Sequence, residues 1–389
     1  MKGDIANLKA LRFVIFLGFV SLLADVTYEG ARSINGPYLA MLGASATLVG
    51  FVSGFGEFLG YGLRLVSGVL SDRTQKYWAI TIVGYAINLV AVPLMAFAGD
   101  WKTAALLIIA ERTGKAIRTP ARDAMLSHAA AQMGLGWGFG LHKAMDQIGA
   151  MLGPLVVASV LFRTGVYGSC YAVLFIPALL ALALLLAARF LYPRPRDLEM
   201  EVPRFESKGF SNAFWLYLAA AALIAAGYAD FPLVAYHFEK ASALPKVMIP
   251  VFYSVAMGAE SIAALVFGRL FDRHGMVVLM GVSFLSAFFA PLVFLGGFWM
   301  ALSGMALWGV GMGAQDSVMR AAVAGMVSSD RRGTAFGIFN AGYGLFWFLG
   351  SVLIGFLYDR SLPLMILFSV GIQWAAVPLF FMVRSRQVR

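Results

Sequence analysis

The sequence predicts an all-α integral membrane protein of twelve transmembrane helices in two pseudo-symmetric six-helix bundles. Three observations lead there. The 389 residues are 60% hydrophobic and 13% charged, with a mean hydropathy of +0.80. A soluble core has no use for that much apolar surface, whereas helices facing hydrocarbon do. A crossing takes about 20 residues, so the length suits about twelve. One turn also occurs twice: Gly68-Val-Leu-Ser-Asp72-Arg73-Thr-Gln-Lys76 returns 200 residues later as Gly268-Arg-Leu-Phe-Asp272-Arg273-His-Gly275. Each copy lies between two long apolar segments, the mark of a duplicated bundle. The third observation is the placement of basic residues in alternate loops, set out below.

The first span covers 11–31 and leaves the membrane near Gly36-Pro37. It runs on into Asp25, Glu29 and Arg32, so it reads as a span and not as a cleaved leader. Spans 2 to 6 fall at 48–70, 78–98, 102–126, 138–162 and 167–191. Between 192 and 210 the pattern breaks. Pro193, Pro195 and Pro203 stand among charged residues, which disfavours a helix in hydrocarbon. This stretch reads as a cytoplasmic linker between an N-terminal bundle, 1–191, and a C-terminal bundle, 211–389. Spans 7 to 12 follow at 212–238, 247–271, 277–295, 299–326, 334–358 and 363–383.

With both termini cytoplasmic, Lys2, Lys9, Arg73, Lys76, Arg194, Arg196, Arg204, Lys208, Arg273, Arg331, Arg332, Arg384, Arg386 and Arg389 share one side. Only Lys102, Arg163, Lys240, Lys246 and Arg360 face the other. That is the positive-inside asymmetry. It accounts for the net charge of +10 without a nucleic-acid partner. The single cysteine, Cys170, rules out an intramolecular disulfide and reads as a small packing residue. The repeat extends past the turns. Phe139-Gly140-Leu-His-Lys-Ala144 in span 5 matches Phe336-Gly337-Ile-Phe-Asn-Ala341 in span 11, and Gly153 matches Gly350. Two matched regions in equivalent spans make a six-plus-six duplication.

These residues resemble the major facilitator superfamily. The stretch from Gly68 to Lys76 is similar to that family's loop 2–3 signature, Gly-x-Leu-x-Asp-Arg-x-x-x-Lys, and the stretch from Gly268 to its degenerate partner in loop 8–9. The resemblance implies a conformational latch built from Gly68, Asp72, Arg73, Gly268, Asp272 and Arg273. In it, Asp72 pairs with Arg118 or Arg122 at the end of span 4 in the outward-facing state. Gly140, Gly149 and Gly153-Pro154 are similar to the span 5 signature of the family's antiporters, with Val157 and Ala158 where its final glycines stand. Small residues four apart let another helix approach closely.

Ionisable side chains at bilayer depth are costly and are functional candidates by default. In span 1, Asp25, Glu29 and Arg32 share a face at about 100° per residue. They could carry a proton or form an outer gate. In span 2, Glu57 lies among glycines and aromatics near mid-span and is the leading protonatable site. Span 4 carries Glu111, Lys115, Arg118 and Arg122 on one stripe and Arg112 and Asp123 on a second. Arg112 resembles the superfamily's span 4 arginine, which implies a part in proton transfer, while Lys115 could instead hold an anion. His142 and Asp146 share a face of span 5. The C-terminal half offers Tyr228, Asp230, Glu260, Gln315 and Trp347, with Asp316 and Arg320 spaced to pair. Lys115, Arg118, Asp146, Tyr228, Asp230, Glu260, Gln315 and Trp347 are the substrate-cavity candidates.

Enzyme motifs for metal, acyl or phosphate chemistry are missing, so no catalytic residue, cofactor or metal is expected. The function expected is secondary transport by a monomer in a bacterial or archaeal cell (inner) membrane. Its expected form is proton-coupled antiport that exports a small organic or amphiphilic compound by alternating access. The alternative is proton-coupled import of a small organic anion, resting on the span 4 cations.

Overall fold

The computed structural model describes residues 2–133, 135–193, 210–319, 322–323, 326–327 and 332–387. Among them every regular element is helical. α1 (Lys2–Met41), α2 (Ala46–Thr74) and α3 (Tyr77–Leu94) are followed by α4 (Trp101–Met133) and α5 (Leu135–Thr164). The sixth span is divided into α6 (Tyr167–Val173) and α7 (Phe175–Leu191), and the seventh into α8 (Asn212–Gly227) and α9 (Phe231–Lys240). α10 (Met248–His274) precedes a divided ninth span, α11 (Met276–Ser286) and α12 (Phe289–Leu295). α13 (Phe298–Ala314) runs into a π-helical turn, Gln315–Met319, and the chain closes with α14 (Arg332–Arg360) and α15 (Leu362–Gln387). Nearly all of the expected linker lies outside the described residues, as does Arg320, the expected partner of Asp316.

Among the described residues, ten helical stretches are long and apolar enough to cross a membrane. The helices at the expected fourth and tenth crossings are outside that group for evident reasons. α4 carries Glu111, Arg112, Lys115, Arg118, Arg122 and Asp123, and α13 is only 17 residues long before the π turn.

Two boundaries depart from expectation. α1 does not end near Gly36-Pro37 but carries Pro37 inside it. Its apolar stretch, Ala10–Met41, is 32 residues, about 48 Å of helix against a hydrocarbon core of about 30 Å. Asp25 and Glu29 therefore sit near the middle of this stretch. Span 7 is not one helix. Pro232 offers no N–H to a continuous helix, and Asp230 starts a new one by accepting the Phe231 N–H at 2.8 Å. The backbone groups freed by the break find partners: Gly227 C=O accepts from Ser369 at 2.6 Å and from Gln373 at 3.1 Å, and Ala229 C=O accepts from the Trp308 indole at 2.9 Å. Such interruptions are tolerated in hydrocarbon only when they are satisfied in this way. Outside the crossings, the Thr103 N–H and hydroxyl and the Lys102 N–H converge on Asp100 at the start of α4 and hold its carboxyl below its usual range.

The described chain forms two compact units, Met1–Ser33 with Leu59–Pro203 and Ile34–Phe58 with Arg204–Arg389. Each repeats a feature of the other. In unit 1, α5 meets α1 where an added Cβ on Gly153 would strike the Val26 carbonyl. In unit 2, α14 meets α8 where a Cβ on Gly350 would strike the Ala226 carbonyl. The repeated turns also match, since Gln75 and Gly275 both adopt φ of 59°, a conformation that stops a right-handed helix. Gly140 and Gly268 meet nothing within 4 Å, so of Gly140, Gly149 and Gly153 the last two mediate close packing.

Gly153→Leu and Gly350→Leu should each destabilise the protein by about 1–3 kcal/mol through overpacking, seen as a lower thermal midpoint in detergent. Gly60→Leu, at a position with open space, should leave the midpoint unchanged.

Candidate functional site

The charged stripe of α4 turns inward within unit 1, and α1, α3 and α5 supply its partners. Gly149 makes this possible. A Cβ there would strike the Leu22 carbonyl and crowd the Asp25 side chain, so its absence lets α5 lie against the polar face of α1. Asp25, Glu29 and Arg32 are all buried.

Ser21 is the junction. Its hydroxyl lies 2.9 Å from His142 Nε2 and 3.3 Å from the Tyr85 hydroxyl, and it accepts from Arg122 Nη1 at 3.1 Å. One α1 side chain thus ties α3, α4 and α5 together. One turn or two along α1, Glu29 Oε1 meets Lys115 Nζ at 3.6 Å. The same ammonium lies 3.9 Å from the centroid of the Tyr28 ring, an attraction that strengthens where water is excluded.

Arg118 is 1% exposed. Its guanidinium stacks over Tyr85 at 4.0 Å and faces Tyr28 at 5.7 Å. Its Nε and Nη1 have no hydrogen-bond acceptor among the described residues. Arg122 is held by Asp123 at 2.8 Å. Asp72 is exposed and meets neither arginine; the latch pairing implied by the family resemblance is not made in this structure. Arg73, Asp272 and Arg273 are exposed as well.

Arg112 Nε lies 3.3 Å from the neighbouring Glu111 carboxylate, and Asn88 donates to Glu111 Oε1 at 2.7 Å and to its backbone C=O at 3.1 Å. On α5, His142 Nδ1 lies 3.7 Å from Asp146. Glu57 is half-buried on α2, in the segment Ile34–Phe58 of unit 2, and so belongs to a different unit from this network.

The candidates of unit 2 gather on a row of rings. Trp347 lies between Tyr228 and Tyr343, with centroids 5.9 and 5.8 Å away. Tyr343 donates to Gln315 Oε1 at 2.5 Å, and Gln315 donates to Gly311 C=O at 3.1 Å. Tyr228 donates to Trp308 C=O. Asp230 is spent on capping α9, and Glu260 is buried on α10. Among the described residues no group of three or more His, Cys, Asp and Glu side chains could hold a metal ion.

Ser21, Tyr28, Tyr85 and Asn88 escaped the sequence reading because they are neutral and common in apolar helices. One signal existed: Tyr85 and Asn88 stand three apart on span 3, one polar face in an otherwise apolar run. The network can hold charge in a dry interior and can change its pairing when one carboxylate gains a proton.

A sequence model of the Major Facilitator Superfamily matches residues 14–314 and 248–389. A Mycobacterium tuberculosis protein whose name calls it uncharacterized is 43% identical over 390 residues, covering 98% of this chain and 95% of its own. An uncharacterized MFS-type transporter of Methanocaldococcus jannaschii is 26% identical over 361 residues, 90% of this chain and 89% of that protein. Among solved structures, the nucleoside transporter NupG superposes with a TM-score of 0.74 at 15% identity, covering 96% of this chain and 98% of its own. That likeness is one of fold.

Asn88→Ala should leave the buried Glu111 short of two donors and destabilise the protein by about 1–3 kcal/mol, measured as a fall in the thermal midpoint. Asn88→Asp, which sets a second carboxylate against Glu111, should fall further still.

Proposed function

Because the chain belongs to the Major Facilitator Superfamily, and is therefore a membrane transporter and not an enzyme, we propose that it is a proton-coupled antiporter. It exports a small organic or amphiphilic compound by alternating access. In this reading the chain crosses the membrane twelve times, with the halves 1–191 and 211–389 joined by the linker 192–210. Both termini are cytoplasmic, and the protein works as a monomer in the cell membrane of a bacterium or archaeon.

One observation carries the reading: Glu29 and Lys115 pair at 3.6 Å in a buried cluster with Asp25, Tyr28 and Arg118. A proton on Glu29 cancels the attraction and frees the Lys115 ammonium, which changes how α1 and α4 hold together. An interior pair of this kind has two stable arrangements, and a transport cycle needs such a two-state element. Asp25 stands one turn away as a second acceptor. Glu57 is the other candidate carrier. The ring row of Tyr228, Tyr343 and Trp347 with Gln315 offers an amphiphile flat surface and one polar group.

A second reading, import of a small organic anion with protons, is favoured by Arg118. Its Nε and Nη1, buried and without acceptors among the described residues, would each donate a charge-assisted hydrogen bond to an oxygen of a bound anion.

Proteoliposomes with a trapped pH dye decide between them. Addition of organic cations outside should alkalinise the lumen, and Glu29→Gln should slow that by about ten-fold or more while exchange of labelled solute persists. Full pH-coupled flux in Glu29→Gln, with loss in Glu57→Gln, would move the proton to α2. Acidification on adding organic anions, lost in Arg118→Gln, would select the import reading.

A further inference from the structure

The start of α2 is held by a residue 312 positions away. Asp359, near the end of α14, accepts the Ala46 N–H at 3.1 Å, the Thr47 N–H at 2.8 Å and the Thr47 hydroxyl at 2.6 Å. α2 has a cap of its own in Ser45, whose hydroxyl accepts the Leu48 N–H at 3.3 Å. The first amides of a helix are orphan donors with partial positive charge, and here a carboxylate from another helix takes two of them.

Below this cap the two helices run against each other on small residues. Ala46, Gly50 and Gly54 stand at i, i+4 and i+8 on α2, and Asp359, Gly355 and Ser351 stand at the same spacing, reversed, on α14. A Cβ on Gly50 would strike the Ser351 carbonyl, and one on Gly355 would strike the Ala46 carbonyl. Ser351 is 2% exposed at the centre of this seam. Phe51, Phe55 and Phe58 then close on Phe348, with centroids 5.5, 5.7 and 6.1 Å away.

From this geometry we propose that Asp359 and Thr47 are gating residues: a releasable cap that holds the first half of α2 on α14 and closes access from the outer face. The proposal rests on the transport reading for its purpose, but its geometry stands apart from it. Two features make the contact releasable. Asp359 is exposed and Thr47 half-buried, so water can take over their hydrogen bonds at little net cost. The seam meets backbone to backbone, with no large side chains between Gly50 and Gly355 to unlock. One feature makes release matter. Ile34–Phe58 belongs to unit 2, whereas the rest of α1 and α2 belongs to unit 1. The hold of α14 is what fastens this segment within unit 2. The cap acts on position, not on the transported solute.

The test uses intact cells carrying the full chain with Cys170→Ser and Ser351→Cys, and a membrane-impermeant maleimide outside. The reporter should label slowly in the parent. Asp359→Ala and Thr47→Val should each raise the labelling rate about five-fold or more. Asp100→Ala, which removes an equally exposed helix cap elsewhere, should leave it unchanged. If Asp359→Ala does not reach the membrane, Thr47→Val, which removes one methyl-sized hydroxyl, carries the test. Unchanged rates in the variants that reach the membrane would overturn the proposal, as would labelling that occurs only after permeabilisation. The measurement needs no solute, so faster labelling in variants of a chain that moves no solute in the pH-dye assay would support the gate and count against the transport reading alone.

Discussion

A charge buried in a membrane protein must find its partner inside the protein, and unit 1 is arranged around that requirement. α4 places Glu111, Lys115, Arg118 and Arg122 on one stripe, and such a helix cannot face lipid. α1 answers with Ser21, Asp25 and Glu29, α3 with Tyr85 and Asn88, and α5 with His142 and Asp146. The small residues serve the same requirement. Gly149 and Gly153 bring α5 close enough to α1 for the polar faces to meet, and replacing either would push apart groups that have no water to fall back on. Two tyrosine rings, Tyr28 and Tyr85, cover Arg118, which has too few acceptors among the described residues. Packing and electrostatics are one problem here, since each close approach is what allows a charge to stay dry.

The two units resemble each other in their joints more than in their chemistry. Gly153 on Val26 and Gly350 on Ala226 are the same contact made twice, and Gln75 and Gly275 both end their helices with a positive φ. What fills the space differs. Unit 1 buries the Glu29–Lys115 and Glu111–Arg112 pairs, whereas the interior of unit 2 has Tyr228, Trp308, Tyr343 and Trp347 in ring contact. The joints match while the interiors differ, and under the proposed function that difference would divide charge handling from contact with an apolar solute.

Much of this was legible in the sequence. Hydropathy and loop charge are local properties, so the fold class and most crossings follow from composition. The α4 stripe follows from spacing at i+4 and i+7, and the inner glycines from their pairing with Pro154. The break in span 7 was hidden because apolar residues continue through it, although Asp230-Phe231-Pro232 is a helix-start signal. The length of α1 was hidden because Gly36-Pro37 reads as an exit. The partners of the α4 charges were not legible, because the helix that faces a stripe is settled by tertiary packing. Nor was the bond between Thr47 and Asp359, where neither residue stands out from its neighbours and the whole chain lies between them.

The gap between α8 and α9 has a consequence of its own. An interrupted helix is usually thought of as a flexible joint. This one is fastened: Gly227 to α15 through Ser369 and Gln373, Ala229 to α13 through Trp308, and Tyr228 back to the Trp308 carbonyl. Opening the bonds of Trp308 to Ala229 or of both Ser369 and Gln373 to Gly227 would leave a carbonyl bare in an apolar surrounding. The joint therefore behaves as a gear tooth and not as a loose link. A tilt of α9 must be passed on to α13 and α15 as a unit, so the place where the chain is least regular is also where three helices are made to move as one.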